Sequence, residues 1–231
     1  VACVLGTAVA AACGHGPNGW TAFATLVLAV VMHAAANVLN DYHDALNGAD
    51  DANTQGLFPF TGGARLIQNG HVTTQDTRNL ALALIVFLIP CGLILAVNTG
   101  GGLVLLGLAG LLLGWAYSAP PLALMKHGLG EVTVAFTWGL VVVGADYVQR
   151  NHFVVAPAVV GVSFALLVGN ILVINGFPDA AADTLVGKRT LVVRLGTRLA
   201  TGVYLAGALL AHAWLVVGTW LFIHPYAALW G

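Results

Sequence analysis

The chain has 231 residues, of which 59% are hydrophobic and only 7% charged, and its formal net charge is −1. Because soluble domains carry about 25% charged residues, this composition excludes a large soluble protein and predicts a polytopic membrane protein. The balanced charge and the lack of a basic patch exclude nucleic acid as a partner. The alternating pattern of a membrane β-barrel is absent, so we expect an all-α bundle of transmembrane helices.

Apolar segments long enough to cross a bilayer follow one another along the whole chain. A spanning helix needs roughly 20 apolar residues. We predict about seven spans, of which the first is the tail of a helix; they cover 1–13, 19–40, 79–98, 102–118, 129–148, 154–175 and 200–222. Both chain ends lie inside apolar stretches. We therefore expect residues 1–231 to form one transmembrane domain that is a fragment cut at both ends.

Basic residues are distributed unequally between the predicted loops. If the spans alternate in direction, loops 41–78, 118–128 and 176–199 share one side of the membrane, and seven of the eight Lys and Arg residues fall in them. Only Arg150 lies in a loop of the other side. The positive-inside rule then predicts that the long loops face the cytoplasm.

Two Asp-rich segments follow the second and the sixth predicted span, and both contain Asn-x-x-x-Asp. The first runs Asn40-Asp41-Tyr42-His43-Asp44 and continues to Asp50, and the second runs from Asn175 to Asp179 and continues to Asp183. Their matching positions, 135 residues apart, hint at a divergent internal repeat. Both segments belong to the predicted cytoplasmic side.

Helical spacing predicts which of these polar side chains share a face. If the second span continues through Asp44, four polar residues form one stripe from mid-membrane to the surface: His33, Asn37, Asn40 and Asp44. In the second segment we expect Pro178 to kink or restart the helix as a first helical residue. Asp179 and Asp183 would then lie one turn apart on one face.

Carboxylates gathered in this way repel one another and favour bound cations. Two like charges at 4 Å cost about 4 kcal/mol at an effective dielectric near 20. Oxygen ligands favour Mg²⁺ over Zn²⁺, and Mg²⁺ characteristically combines one or two carboxylates with waters and substrate phosphates. Four nearby basic residues complete a predicted anion site: Arg65, Lys126, Lys188 and Arg189. The combination indicates a pair of divalent cations that hold a diphosphate at the membrane surface.

Simpler interpretations exist for each of these residues. The Asp residues can act as helix caps or solvated loop charges, and two matched segments on one face argue against this. His33 can serve only to hydrogen-bond a neighbouring helix, and Lys126 can be a topology charge.

At this point the motifs resemble those of a known family. Asn40-Asp41-x-x-Asp44 with Asp50, Tyr117-Ser118-x-Pro120 and Asp179-x-x-x-Asp183 resemble the UbiA superfamily of intramembrane prenyltransferases. Segments 40–50, 60–68 and 187–196 are most similar to its 1,4-dihydroxy-2-naphthoate polyprenyltransferase branch, the MenA type. The 4-hydroxybenzoate branch usually has Arg where Ala45 stands here. The family has about nine spans, so the last two would be missing, and its usual loop Ser is Ala64 here.

The resemblance implies a reaction and a set of site residues. A polyprenyl group would pass from its diphosphate to an aromatic acceptor, 1,4-dihydroxy-2-naphthoate, in menaquinone biosynthesis at the prokaryotic inner membrane, with the donor tail in a cavity open to the lipid bilayer. Asn40, Asp44 and Asp50 would bind one Mg²⁺, Asp179 and Asp183 a second, and Asp41 would support the first. The implied diphosphate ligands are Arg65, Lys126, Lys188, Arg189 and Ser118. Tyr117 would shelter the allylic cation, and His33 and Asn37 would contact the acceptor.

Two other functions fit parts of the same pattern. Within the family, the acceptor could instead be 4-hydroxybenzoate, homogentisate or a chlorophyll precursor. Outside it, a cation transporter could use His33, Asn37 and the Asp residues as a pathway. A transporter places its carboxylates near the membrane midplane with access from both sides, so the depth of the carboxylates distinguishes the two.

Overall fold

The computed structural model describes residues 1–54, 63 and 65–221, and this part of the chain is helical and contains no strand. The order along the chain is α1 (Ala2–Ala12), α2 (Gly19–Asn47), α3 (Ala49–Ala52), α4 (Thr74–Thr99), α5 (Gly102–Ser118), a 3₁₀ helix (Leu124–His127), α6 (Gly130–Arg150), α7 (Ala156–Leu185) and α8 (Leu191–Trp220). The all-α prediction is confirmed.

Within the described residues, five helices are long and apolar enough to cross a membrane, namely α2, α4, α6, α7 and α8. Two further predicted spans correspond to shorter apolar helices, because α1 has 11 residues and α5 has 17. The hydropathy of the sequence therefore located all seven segments. It overestimated how many of them have the full length of a spanning helix.

Helix α2 continues beyond its apolar part, as predicted, and carries the first Asp segment. Asn18 caps its start, because the side-chain oxygen accepts hydrogen bonds from the backbone N–H groups of Trp20 and Thr21. The helix ends at Asn47, since Gly48 follows with φ 78°, a left-handed conformation that glycine adopts without strain. Asp44 thus lies in the last turn of a 29-residue helix.

Helix α7 carries the second segment, and here the prediction that Pro178 restarts the helix was wrong. Pro178 neither restarts the helix nor occupies its first turn, because α7 runs continuously from Ala156 to Leu185. Proline removes one backbone hydrogen bond, and membrane helices tolerate this loss where neighbouring groups satisfy the freed carbonyl. Asp179 and Asp183 remain one turn apart on the continuous helix.

Small residues allow the helices to pack closely. Helix α1 packs against α6, α6 against α7, α7 against α8, and α2 against α4. At Gly6 a Cβ would overlap the carbonyl oxygen of Val142 and come within 2.8 Å of the Ala145 Cβ. Glycine at this position therefore sets the distance between α1 and α6.

The loops gather at two opposite ends of the bundle. At one end, the backbone N–H of Asn18 donates to the Gln149 side chain at 2.8 Å, and the N–H of Gly102 donates to the Tyr147 hydroxyl at 3.0 Å. These contacts join the three short connections. Lys188 joins the two Asp segments at the other end. The long, charged loops consequently share one end, as the count of spans predicted.

Candidate functional site

A large cavity of about 870 Å³ opens between the helices and reaches the charged end of the bundle. Helices α2, α4, α5, α6 and α7 line it, mostly with apolar side chains. Its acidic lining residues all come from the charged end: Asp41, Asp44, Asp50, Glu131, Asp179 and Asp183. Among the described residues, no carboxylate lines the opposite half of the cavity.

Lys188 connects the two Asp segments directly. Its Nζ donates to both carboxylate oxygens of Asp44 at 3.1 Å and lies 3.6 Å from Oδ1 of Asp183. The lysine side chain is only 12% exposed. Burial alone would lower the pKa of Lys188, but Asp44 and Asp183 outweigh that effect and raise it, so the side chain stays protonated. Asp44 on α2 and Asp183 on α7, which are 139 positions apart in the sequence, are thereby held around one positive charge.

Amide side chains complete the surroundings of Asp44. Asn40 Nδ2 donates to its Oδ2 at 3.0 Å, and Asn47 Nδ2 donates to its Oδ1 at 3.1 Å. The Asn40 Oδ1 atom is buried and accepts no hydrogen bond from the described residues. An unsatisfied buried oxygen of this kind, beside a buried carboxylate, is a suitable ligand for a hard cation.

The second segment is fixed from two directions. Asn53 Nδ2 donates to Asp179 Oδ1 at 2.7 Å, and Thr190 Oγ1 donates to Asp183 Oδ2 at 3.1 Å. Arg65 in turn donates from Nη1 to the backbone carbonyls of Asp50 and Asn53, at 2.8 and 2.7 Å. The arginine thus holds the turn that carries Asp50 and Asn53, and Asn53 reaches Asp179 on α7.

Asp50 and Asp41 form the other acidic edge of the site. A Cβ on Gly63 would lie 3.6 Å from Asp41 Oδ1 and 3.7 Å from Asp50 Oδ1, so both carboxylates approach this glycine. Gln68 Nε2 donates to Asp50 at 3.4 Å. Burial, reinforced by the charges of Asp44 and Asp41, raises the pKa of Asp50 to about 7. A carboxylate in this condition gains most from a neighbouring cation.

The remaining predicted diphosphate ligands lie farther from the cavity. Arg189 is exposed, and its backbone N–H donates to the carbonyl of Lys126 at 3.1 Å; neither residue lines the cavity. Ser118 is buried behind the lining, and its hydroxyl has no hydrogen-bond partner among the described residues. Lys188 is thus the predicted cation whose side chain reaches the acidic end directly. Ala64 and residues 60–62 lie outside the described residues.

The residues predicted to contact an acceptor line the cavity deeper in the membrane. Asn37 Nδ2 donates to the carbonyl of His33 at 2.8 Å, and the His33 ring lies 5.4 Å from the Trp138 ring. Both polar residues share the lined face of α2 with Asn40 and Asp44. Tyr117 lines the cavity at its acidic end, at the close of α5.

The arrangement fits divalent cations that arrive with a ligand. No three His, Cys, Asp or Glu side chains within residues 1–54, 63 and 65–221 are placed to hold a metal ion by themselves. Mg²⁺ rarely requires three, because it retains waters and takes oxygens from substrate phosphates. The free Asn40 oxygen and the paired carboxylates therefore suit Mg²⁺ bound together with a diphosphate.

Several residues of the site were not predicted from the sequence. Asn53, Gln68, Thr190 and Asn47 each hold a carboxylate of the site. Glu131 also belongs to the site, because it lies in the first turn of α6, is buried and lines the cavity. The available signal for Asn53 was its position three residues after Asp50, whereas nothing local distinguished Thr190.

Comparison with known families gives one match over the whole chain. The UbiA prenyltransferase family matches residues 1–231. No solved structure matches the chain significantly.

Several similar curated proteins have names that refer to naphthoate or naphthoquinone compounds. The chain is 33% identical to the 1,4-dihydroxy-2-naphthoate octaprenyltransferase of Mycobacterium leprae over 93% of its own length and 74% of that protein. It is 27% identical to the protein of the same name from Bacillus subtilis, over 82% of the chain and 61% of the relative. The 2-carboxy-1,4-naphthoquinone phytyltransferase of Synechocystis is 30% identical over 77% and 55%. The chain thus spans less than two thirds of some of these relatives.

Proposed function

Because the chain belongs to the UbiA prenyltransferase family, we propose that its protein transfers a polyprenyl group from a polyprenyl diphosphate to 1,4-dihydroxy-2-naphthoate, in menaquinone biosynthesis. The observation that carries this proposal is the bridge of Lys188 between Asp44 and Asp183, at the mouth of a long apolar cavity. Charged and apolar surfaces meet there, as a donor with an anionic head and an isoprenoid tail requires.

The diphosphate head belongs at the charged end of the cavity. Lys188 supplies an ammonium group that can turn from the carboxylates to phosphate oxygens. We assign two Mg²⁺ ions to this end, the first with Asn40, Asp44 and Asp50, the second with Asp179 and Asp183. When bound, the ions neutralise the charge that develops on the departing diphosphate.

The protein's own residues then keep the reacting carbon sheltered. The apolar walls exclude water from the allylic cation, and the ring of Tyr117 can face its positive charge. Asn53 and Thr190 hold Asp179 and Asp183 in place, so that the carboxylates do not need to reorganise during the reaction. Arg65 acts through the turn that it supports.

The acceptor ring attacks the allylic carbon from within the cavity. The bond from the allylic carbon to the diphosphate oxygen breaks first, and the ring carbon then forms its new bond to the allylic cation. The ring carboxylate leaves as CO₂, and the electron pair of its carbon–carbon bond restores the aromatic ring. His33 and Asn37 are the polar side chains available to orient the ring, beside Trp138. The names of the relatives from Mycobacterium leprae and Bacillus subtilis favour the naphthoate over 4-hydroxybenzoate, homogentisate or a chlorophyll precursor.

A cation transporter is less well supported. Its carboxylates would need to lie along a route from one end to the other. The lining acids named above all lie at one end, while the buried Asp146 near the other end is paired with Arg150 at 2.8 Å.

The test is a product assay with the full-length protein in membranes. We expect mass spectrometry to detect a prenylated, decarboxylated naphthol, and no comparable product from the other acceptors. EDTA should stop the reaction and added Mg²⁺ should restore it. A chelator-insensitive reaction would refute the metal assignment, and the absence of any prenylated acceptor would refute the proposal.

A further inference from the structure

The cavity continues far beyond the charged residues. Asp44 lines it near the end of α2 and Thr25 lines it near the start of the same helix. At 1.5 Å per residue, the two positions are about 28 Å apart along the helix axis. This length is close to the hydrocarbon thickness of a bilayer. The far half of the cavity therefore has room for an extended apolar chain.

Helix α5 turns one face toward this space. Leu103, Gly107, Gly110, Gly114 and Tyr117 all line the cavity, and their spacing of four and three residues places them on one side of the helix. A Cβ on Gly114 would come within 2.7 Å of the Met32 side chain, so that glycine serves close packing with α2. A Cβ on Gly107 or Gly110 would meet no atom within 4 Å.

Helix α4 contributes an equivalent position. Gly92 lines the cavity, and a Cβ there would likewise find nothing within 4 Å. Gly92 precedes the end of α4 at Thr99 by about two helical turns, and Gly107 follows the start of α5 by about one and a half. Because a short turn joins α4 to α5, the two glycines lie at similar depth. Neither is explained by helix packing, so what they provide is cavity volume.

We infer that Gly107, together with Gly92 and Gly110, keeps the far half of the cavity open to polyprenyl tails longer than about three isoprenoid units. The inference rests on the proposed function, because the occupant is the tail of the diphosphate donor. One cavity connects the carboxylates with the glycines and most of its lining is apolar, so a tail whose head is at Lys188 is directed toward them.

The dimensions give the expected length limit. An isoprenoid unit adds four chain bonds, or about 5 Å when extended, by the bond lengths that apply to any carbon chain. Gly107 lies about 15 Å from Tyr117 along α5, which corresponds to about three units. A bulky side chain at Gly107 should therefore leave room for a geranyl tail and obstruct a pentaprenyl tail, whose extended length of about 25 Å fits the wild-type cavity of about 28 Å.

Replacement of Gly107 by leucine is expected to preserve the fold. Leucine favours the helical conformation more than glycine does, and the added side chain enters open space. Gly202 provides a matched control, because it lies inside α8, has nothing within 4 Å of a Cβ, and does not line the cavity.

The experiment measures donor binding rather than turnover. Native mass spectrometry would compare geranyl diphosphate with pentaprenyl diphosphate on the full-length wild-type protein, Gly107→Leu and Gly202→Leu in one detergent. We expect Gly107→Leu to bind pentaprenyl diphosphate at least about tenfold more weakly, with geranyl binding within about twofold of wild type. Gly202→Leu should match wild type with both donors.

Unchanged pentaprenyl binding in Gly107→Leu would overturn the inference, as would an equal loss of both donors or a wild-type protein that binds neither. The proposed function is judged separately, by whether the wild-type protein forms a prenylated naphthol from geranyl diphosphate. A wild type that is active with both donors, together with an indifferent Gly107→Leu, would refute the tail limit alone.

Discussion

At the acidic end, adjacent residues of the same charge differ in whether their side chains reach the cavity. Asp50 is buried and lines the cavity, whereas its neighbour Asp51 is exposed and does not. Lys188 reaches the carboxylates, whereas its neighbour Arg189 is exposed and does not line the cavity. Adjacent residues of like charge are therefore separated by the direction of their side chains, which the spacing of the motifs does not specify.

The adjacent carboxylates provide a direct test. Asp50→Asn should lower kcat/KM by on the order of 10²–10³-fold, since it removes a proposed metal ligand that acts on the departing charge. Asp51→Asn should leave kcat/KM within about twofold, because surface substitutions away from a site have little effect. Steady-state assays on the full-length variants at saturating Mg²⁺ measure both. Equal activities of the two variants would remove Asp50 from the metal site.

At the scale of helices, the sequence predicted much of the fold, and its errors have physical causes. Hydropathy located each apolar segment, and the polar stripe from His33 to Asp44 lies on one cavity-facing side of α2 as the helical period required. Pro178 was misjudged because the rule for proline in water is weaker where membrane helices surround the freed carbonyl. The contact of Asn53 with Asp179 could not be predicted, since it depends on how distant helices pack.

The close approach of α1 and α6 should be sensitive to a single methyl group. Gly6→Ala would force the new Cβ against the Val142 carbonyl oxygen, a backbone atom that cannot rotate away. We expect a loss of about 1–3 kcal/mol in stability, the usual cost of overpacking.

Thermal unfolding of the detergent-solubilised full-length protein measures this loss as a lower Tm. Gly16→Ala is the control, because a Cβ there has nothing within 4 Å. If the two alanine variants unfold at the same temperature, the packing assigned to Gly6 is wrong.

For the molecule as a whole, the separation of the loops into two ends defines its orientation in the membrane. The charged end contains seven of the eight Lys and Arg residues and the proposed site, while Cys13 is exposed near the opposite end. We propose that the charged end faces the cytoplasm, where the positive-inside rule places basic loops.

Thiol labelling of right-side-out spheroplasts tests this orientation. A variant that keeps only Cys13 should react with a membrane-impermeant maleimide from outside. Asp51→Cys in a background without other cysteines should react only after the membrane is permeabilised. The reverse pattern would place the site on the external face and contradict the proposed orientation.

The ammonium group between Asp44 and Asp183 has a consequence for the enzyme between turnovers. Without a counterion, the carboxylates of Asp44 and Asp183 would repel each other once the product and the metal ions had left. Lys188 is tethered to the chain and cannot diffuse away. We therefore expect the empty site to keep α2 and α7 at the same separation without a bound metal ion, so that the next donor binds to a preformed pocket.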